Sequence, residues 1–230
     1  MMSEQLVLDL PHRTAMGADD FLVSSCNAAA VELVDSWPHW TQPVQLIEGP
    51  AGCGKSHLAN VWRLKSSAAE LEAAQFSGPD MADCDFGTGV VLEDLDRKPF
   101  DEQSLFHLLN LSRERGFYVL LTARIPPARW SVELPDLISR LRAAPVAKIG
   151  APDDALLGAV LFKHFADRQL NIRPSVLKYL VRRMVRSMDT AGDLVIELDR
   201  AALSTGKKIT RQFAGEVLEQ FQSGEQTPRD

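Results

Sequence analysis

Residues Gly49-Pro50-Ala51-Gly52-Cys53-Gly54-Lys55-Ser56 constrain this chain more than any other stretch. The apolar run Val44-Gln45-Leu46-Ile47 leads in, and His57-Leu58-Ala59-Asn60-Val61-Trp62 leads out. The string fits the P-loop pattern G-x-x-x-x-G-K-[ST] in the context that the motif needs, a short strand going in and a helix coming out. Glycines let the backbone turn tightly and aim successive N–H groups at phosphate oxygens, while the helix N-terminus adds partial positive charge. Lys55 then reaches the terminal phosphates and the Ser56 hydroxyl binds magnesium. The expected contacts to ADP or ATP are Gly49, Pro50, Ala51, Gly52, Cys53, Gly54, Lys55, Ser56 and His57, with Mg2+ held at Ser56 and a downstream acid.

A chain of 230 residues, 45% hydrophobic, accommodates one such α/β core plus a smaller second unit, so one nucleotide site is expected. No uninterrupted apolar stretch approaches a bilayer span, and the start MMSEQLVLDLPHR lacks the basic and apolar regions of a secretory signal, which points to the cytoplasm. Cys26, Cys53 and Cys84 are odd in number and widely spaced, and the five histidines form no ligand cluster. Neither disulfides nor metal chemistry beyond nucleotide-bound magnesium is indicated. A formal net charge of -6 argues against coating nucleic acid through bulk electrostatics and leaves room for a local basic face.

Along the chain, residues 1–20 read as an arm: Gln5-Leu6-Val7-Leu8-Asp9-Leu10 alternates briefly before Pro11, Gly17 and Asp19-Asp20 break any element. An amphipathic helix is expected from about Asn27 to Trp37, stopped by Pro38, and the P-loop helix is expected to run to about Ser66. A weak strand candidate at Leu71 to Phe76 precedes a poorly patterned stretch, Ser77 to Thr88. Gly89-Val90-Val91-Leu92-Glu93-Asp94-Leu95-Asp96 is a short apolar strand ending in acids, the second half of a P-loop site. There one carboxylate, Glu93, organises magnesium and the next, Asp94, can position the attacking water. A helix at Glu102 to Arg115 ends on Gly116, and the strand Phe117 to Thr122 closes in a hydroxyl. Thr122 either reports on the γ-phosphate or caps the following turn. A short helix, Leu134 to Leu141, carries Arg140, and Val146 to Ile149 completes about five strands. The fold class is therefore α/β, a parallel sheet flanked by helices over 21–150. Beyond Gly150 the pattern turns helical, with stripes from Pro152 to Phe165, Pro174 to Val185, about Thr190 to Ser204 and Thr210 to Phe221. These make a small helical domain over 151–222, with 223–230 expected to be disordered.

A P-loop α/β unit followed by an all-helical lid resembles the AAA+ nucleotide switches. The strings GPAGCGKSHL, VVLEDLD, LPDLISRL and LDRAAL followed by KKIT resemble the DnaA group, in particular its bacterial Hda-type regulators. The similarity spans nearly the whole chain. DnaA continues past the lid into a DNA-binding domain, whereas this chain stops, as Hda-type proteins do. QLVLDL resembles the peptide with which such proteins dock onto the β sliding clamp, which implies clamp contacts by Gln5, Leu6, Leu8 and Leu10. The resemblance implies a regulator that, on the clamp and hence indirectly on DNA, promotes hydrolysis of DnaA-bound ATP and prevents re-initiation. Arg140 then matches an arginine finger acting in trans, although its spacing to Asp136 also suits a local ion pair.

Two departures from the family pattern stand out. Glu93-Asp94 replaces Asp-Asp at the end of the acidic strand. Alignment back from LDRAAL puts Asp189 at the lid arginine that contacts phosphates, so either Asp189 points away, or Arg182, Arg183 or Arg186 substitutes, or the register shifts. The implied protein binds ADP and activates a partner's ATPase; the alternative is an AAA+ ATPase that hydrolyses its own ATP while acting on DNA or the clamp. A homo-oligomer is compatible with either.

Overall fold

The computed structural model describes residues 22–73 and 85–225. The arm expected at 1–20 with Gln5, Leu6, Leu8 and Leu10, residues 74–76 of the strand candidate, and residues 226–230 lie outside them. Ser25–Gly150 forms one compact unit and the chain from Ala151 on forms another.

The first unit contains a five-stranded parallel sheet in the order β2-β3-β4-β1-β5. Its strands are β1 (Val44–Glu48), β2 (Ala69–Glu70), β3 (Gly89–Leu92), β4 (Tyr118–Ala123) and β5 (Val146–Lys148). Because side chains alternate along a strand, Val44, Leu46, Val90, Leu92, Val119 and Leu121 share one face. There they pack against α3 (Glu102–Arg115) and α4 (Pro135–Ala143), through Leu105, Leu108, Leu109, Leu137 and Leu141. Each fully buried leucine contributes about 1.5–3 kcal/mol. The alternate positions, among them Ile47, Val91 and Leu120, are buried too, and α2 (Lys55–Ser66) packs on β3 and β4. With both faces covered, the strands read as continuous apolar runs, which is why they were legible as parallel.

Helix α1 (Ala28–Asp35) packs on α2 and beside β5. Between α1 and β1, Trp40 stacks on Trp62 of α2 and meets the Tyr118 ring edge-on. The Tyr118 hydroxyl donates to the Pro38 carbonyl. This aromatic cluster closes the sheet at the end where β4 begins, opposite the ends that carry the P-loop and the acids.

Helix α3 starts where Asp101 caps it, its carboxylate accepting the Ser104 N–H at 2.7 Å, and it ends on Gly116 at φ 77°. Those hydrogen bonds from Ser104 hold the Asp101 carboxyl below the usual carboxylate range. The edge strand departs from the expectation at Leu71 to Phe76. Helix α2 stops on Ser67 in the left-handed region, φ 55°, so the chain meets the edge at once and pairs Ala69 with Val90 and Glu70 with Val91. Propensity alone did not mark those two residues, because cross-strand pairing rather than intrinsic preference decides an edge.

The second unit comprises α5 (Asp154–Asp167), α6 (Pro174–Arg183), α7 (Met188–Thr205) and α8 (Arg211–Glu225) around Leu157, Leu161, Phe165, Leu177, Leu180, Leu194, Val195, Leu198 and Phe213. Side-chain caps from Asp153 and Ser187 open α5 and α7. Helix α8 continues to Glu225, so the first three residues of the tail expected to be disordered are helical. No helix of the described residues is long and apolar enough to cross a membrane.

Candidate functional site

The P-loop joins the C-terminal end of β1 to α2. Gly52 and Gly54 sit at φ 63° and 99°, where side chains are strained, so these two glycines are required by the turn itself. Gly49 is required for a different reason. A Cβ there would lie 2.7 Å from the Cys53 Sγ and 2.7 Å from the Ile149 carbonyl oxygen, so the loop is seated on the end of β5. Cys53 is fully buried, and that burial pushes its thiol pKa up against the opposing pull of Lys55, which leaves it a packing residue. Helix α2 has Gly54 as its N-cap and no side-chain cap, so its first N–H groups have no side-chain acceptor, unlike those of α3, α5 and α7. Lys55, 6% exposed, donates from Nζ to the Gly49 and Pro50 carbonyls at 2.9 Å each. Its ammonium is thus held across the loop. Pro50, Ala51 and His57 lie on the exposed side.

The acids come to the same place from β3. The Ser56 hydroxyl donates to Glu93 Oε2, which sets one hydroxyl and one carboxylate side by side at the entrance of α2. Asp94 follows at φ 55°. That unusual conformation is held from β4: the fully buried Thr122 accepts the Asp94 N–H on Oγ1 at 3.0 Å, and its carbonyl accepts the Leu95 N–H at 3.1 Å. One turn on, Asp96 accepts the Arg124 N–H. Thr122 therefore fastens the acidic loop to the neighbouring strand.

These groups suit a nucleotide with magnesium. Magnesium prefers one or two protein oxygens together with phosphates and waters, and the Ser56–Glu93 pair offers that at the mouth of a loop of uncapped N–H groups beside a buried ammonium. When bound, a nucleotide would supply a reactive γ-phosphoanhydride or, as ADP, only a structural anchor. The chain's own part would be to cradle phosphate with the loop, neutralise it with Lys55 and hold the metal side with Ser56 and Glu93.

Arg140 is half-buried on α4, and among the described residues it makes no ion pair, with Asp136 or any other acid. The approach to α4 is fixed by Glu102 of α3, whose carboxylate accepts the N–H groups of Glu133 and Leu134. Glu102 was not singled out by sequence, because nothing in the string marks a carboxylate that will meet a backbone 31 residues away. The same holds for Glu48, whose Oε1 lies 3.9 Å from Lys148.

Residues 154–218 match the family model of the Hda lid domain. The fold is similar to domain III of the Thermotoga maritima replication initiation protein DnaA, with a TM-score of 0.72 at 19% identity over 87% of this chain and 94% of that one. It is also similar to AMPPCP-bound DnaA from Aquifex aeolicus, with a TM-score of 0.64 at 18% identity over 90% of this chain and 68% of that one. An uncharacterised protein of Haemophilus influenzae is 28% identical over 189 residues, 77% of this chain and 82% of that protein.

The chain has a DnaA-like AAA+ fold with an Hda-type lid.

Within this lid, Asp189 lies exposed in the first turn of α7, a favourable place for a carboxylate because of the helix dipole. Of the three arginines considered as substitutes, Arg186 is engaged within the lid. Its guanidinium donates to the Pro152 carbonyl at 3.1 Å and pairs with Asp154 at 2.5 Å. Arg183 lies over the Tyr179 ring, 5.2 Å from its centroid, and Arg182 is exposed on α6.

Proposed function

We propose that this Hda-type protein is a nucleotide-bound, most naturally ADP-bound, regulator that docks on the β sliding clamp through Gln5, Leu6, Leu8 and Leu10. From there it stimulates hydrolysis of DnaA-bound ATP through Arg140, and so limits re-initiation of replication. The observation that carries the reading is an Hda-type lid on a P-loop core whose α4 offers Arg140 without an ion pair among the described residues. A guanidinium free of local acids can stabilise charge on a phosphoryl group transferring in a neighbour, worth roughly 10³–10⁵ in rate in well-studied cases. ADP is favoured because the uncapped N–H groups of the loop and α2 entrance serve the α and β phosphates, while the lid position that the resemblance assigns to the γ-phosphate carries Asp189 and Arg186 is already paired. The nucleotide-bound state of the DnaA relative from Aquifex aeolicus supports a nucleotide here.

The decisive experiment measures ATP hydrolysis by DnaA with clamp loaded on DNA. Arg140→Ala should retain clamp binding and lose stimulation, and alanine at Gln5, Leu6 and Leu8 together should lose both while keeping nucleotide. Lys55→Ala should release nucleotide and abolish the thermal stabilisation that ADP gives the parent protein. Full stimulation by Arg140→Ala would reject the finger role. Ser56, Glu93, Asp94 and Thr122 standing together favour a second reading, turnover of the chain's own ATP. Steady-state hydrolysis by the isolated protein, abolished by Asp94→Asn, would establish it.

A further inference from the structure

The lid carries a concentration of cations that the proposed function does not use. Ser175, Lys178, Tyr179, Arg182 and Arg183 of α6 and Arg211 of α8 line a shallow hollow of about 350 Å3, with no acid among its lining residues. All four cations are exposed. The ion pairs of this unit among the described residues are Lys163–Asp167, Arg186–Asp154 and Arg200–Glu197, so none of the four is neutralised by one. Such a cluster is conspicuous in a chain of net charge -6.

The hollow is also built rather than loose. Both Arg183 and Arg211 lie over the Tyr179 ring, 5.2 and 5.1 Å from its centroid, which holds two guanidiniums against one ring. Tyr179 can lie this close to α8 because position 215 is glycine; a Cβ there would sit 2.8 Å from the Tyr179 hydroxyl. Gln222 donates to the Arg183 carbonyl and ties the end of α6 to α8. The acids Glu216 and Glu219 line an adjoining hollow along α8 that shares Tyr179, Arg183 and Arg211, so their negative potential biases an anion towards Lys178 and Arg182 on the α6 side.

We propose that this lid face binds the phosphate backbone of duplex DNA directly, with Lys178, Arg182, Arg183 and Arg211 as its cations and Ser175 as a hydroxyl donor. From residue 175 to 183 the helix rises about 12 Å at 1.5 Å per residue, enough for its cations to reach more than one phosphate of a backbone. Guanidinium forks can bind phosphate oxygens bidentately, and a run of phosphates meets several exposed cations at once. A single strand is disfavoured, because stacking platforms for bases need open aromatic faces and the Tyr179 ring already carries two guanidiniums. This contact is distinct from the indirect one through the clamp and does not depend on it.

The test is fluorescence anisotropy of a short labelled duplex of arbitrary sequence, titrated with the full chain in ADP and magnesium, without clamp, across a salt series. Affinity should fall with salt at a log–log slope of about -2 to -4, since each neutralised phosphate contributes about -0.9. Lys178→Glu with Arg211→Glu should weaken binding at least tenfold at an unchanged melting temperature. Lys178→Gln, a milder change on an exposed helical face, should make the slope shallower by about one. No binding at low salt, or binding undiminished by both variants, overturns the proposal. So does tighter binding to the single strand than to the duplex, or equal binding of polyglutamate, which would make this a surface for an acidic protein.

Discussion

Replacing Thr122 by valine tests whether the strand after the acids controls them. The substitution keeps shape nearly constant and removes one acceptor, the Oγ1 that takes the Asp94 N–H at 3.0 Å in a fully buried position. An amide left without a partner in such a place costs about 1–3 kcal/mol. Asp94, at φ 55°, gains nothing by staying in the left-handed region without that bond, although aspartate tolerates the region better than most residues. A loss of about 2 kcal/mol corresponds to a fall in Tm of about 4–8 °C for a chain of this size. It also corresponds to roughly thirtyfold faster exchange of the Asp94 amide if opening is local. Thr122→Ser is the control: it keeps the acceptor and gives up one buried methyl, about 0.8 kcal/mol, so Asp94 amide protection should survive. Amide exchange followed by NMR, with thermal melting by circular dichroism, reads both. Parent-like protection and a Tm within 1 °C of the parent in Thr122→Val would refute the claim that Thr122 holds the acidic loop.

Gly49→Ala should lower stability by about 1–3 kcal/mol and weaken ADP binding, because its Cβ meets the Ile149 carbonyl at 2.7 Å; adding Cys53→Ala removes only the sulfur contact and should not restore the parent Tm. His164 offers a pH test: burial, aided by Arg168 and Lys163 and opposed by Asp167, holds its pKa below the usual imidazole value. Its contribution is therefore complete above pH about 6.5 and is lost as pH falls through the lowered folded-state value, because the unfolded chain binds the proton first. Tm between pH 7 and 5 should fall less steeply in His164→Gln, and identical slopes would assign that pH dependence to other groups.

The string itself marked the P-loop, the acid-ended strand, the run of four lid helices and the Gly116 stop, because each is a local rule: glycines for a phosphate turn, apolar periodicity for a buried face, a left-handed cap at a helix end. Sequence spacing could also bring Ser56 and Glu93 to one site, since a P-loop and a neighbouring acidic strand have few ways to combine. What tertiary structure decided is what depends on distant partners. The Thr122 hydroxyl meets the Asp94 amide only because β4 lies beside β3, two strands that the sequence does not itself pair. Glu102 became the anchor of α4 only through a backbone 31 residues on, and the edge strand settled at Ala69–Glu70 because pairing with Val90 and Val91 outweighs propensity. Four lid cations scattered through two helical stripes became one face only when Tyr179 lay against Gly215. Local chemistry is written in the order of residues, but a hydrogen bond or a charge cluster between elements exists only once packing has set their distance.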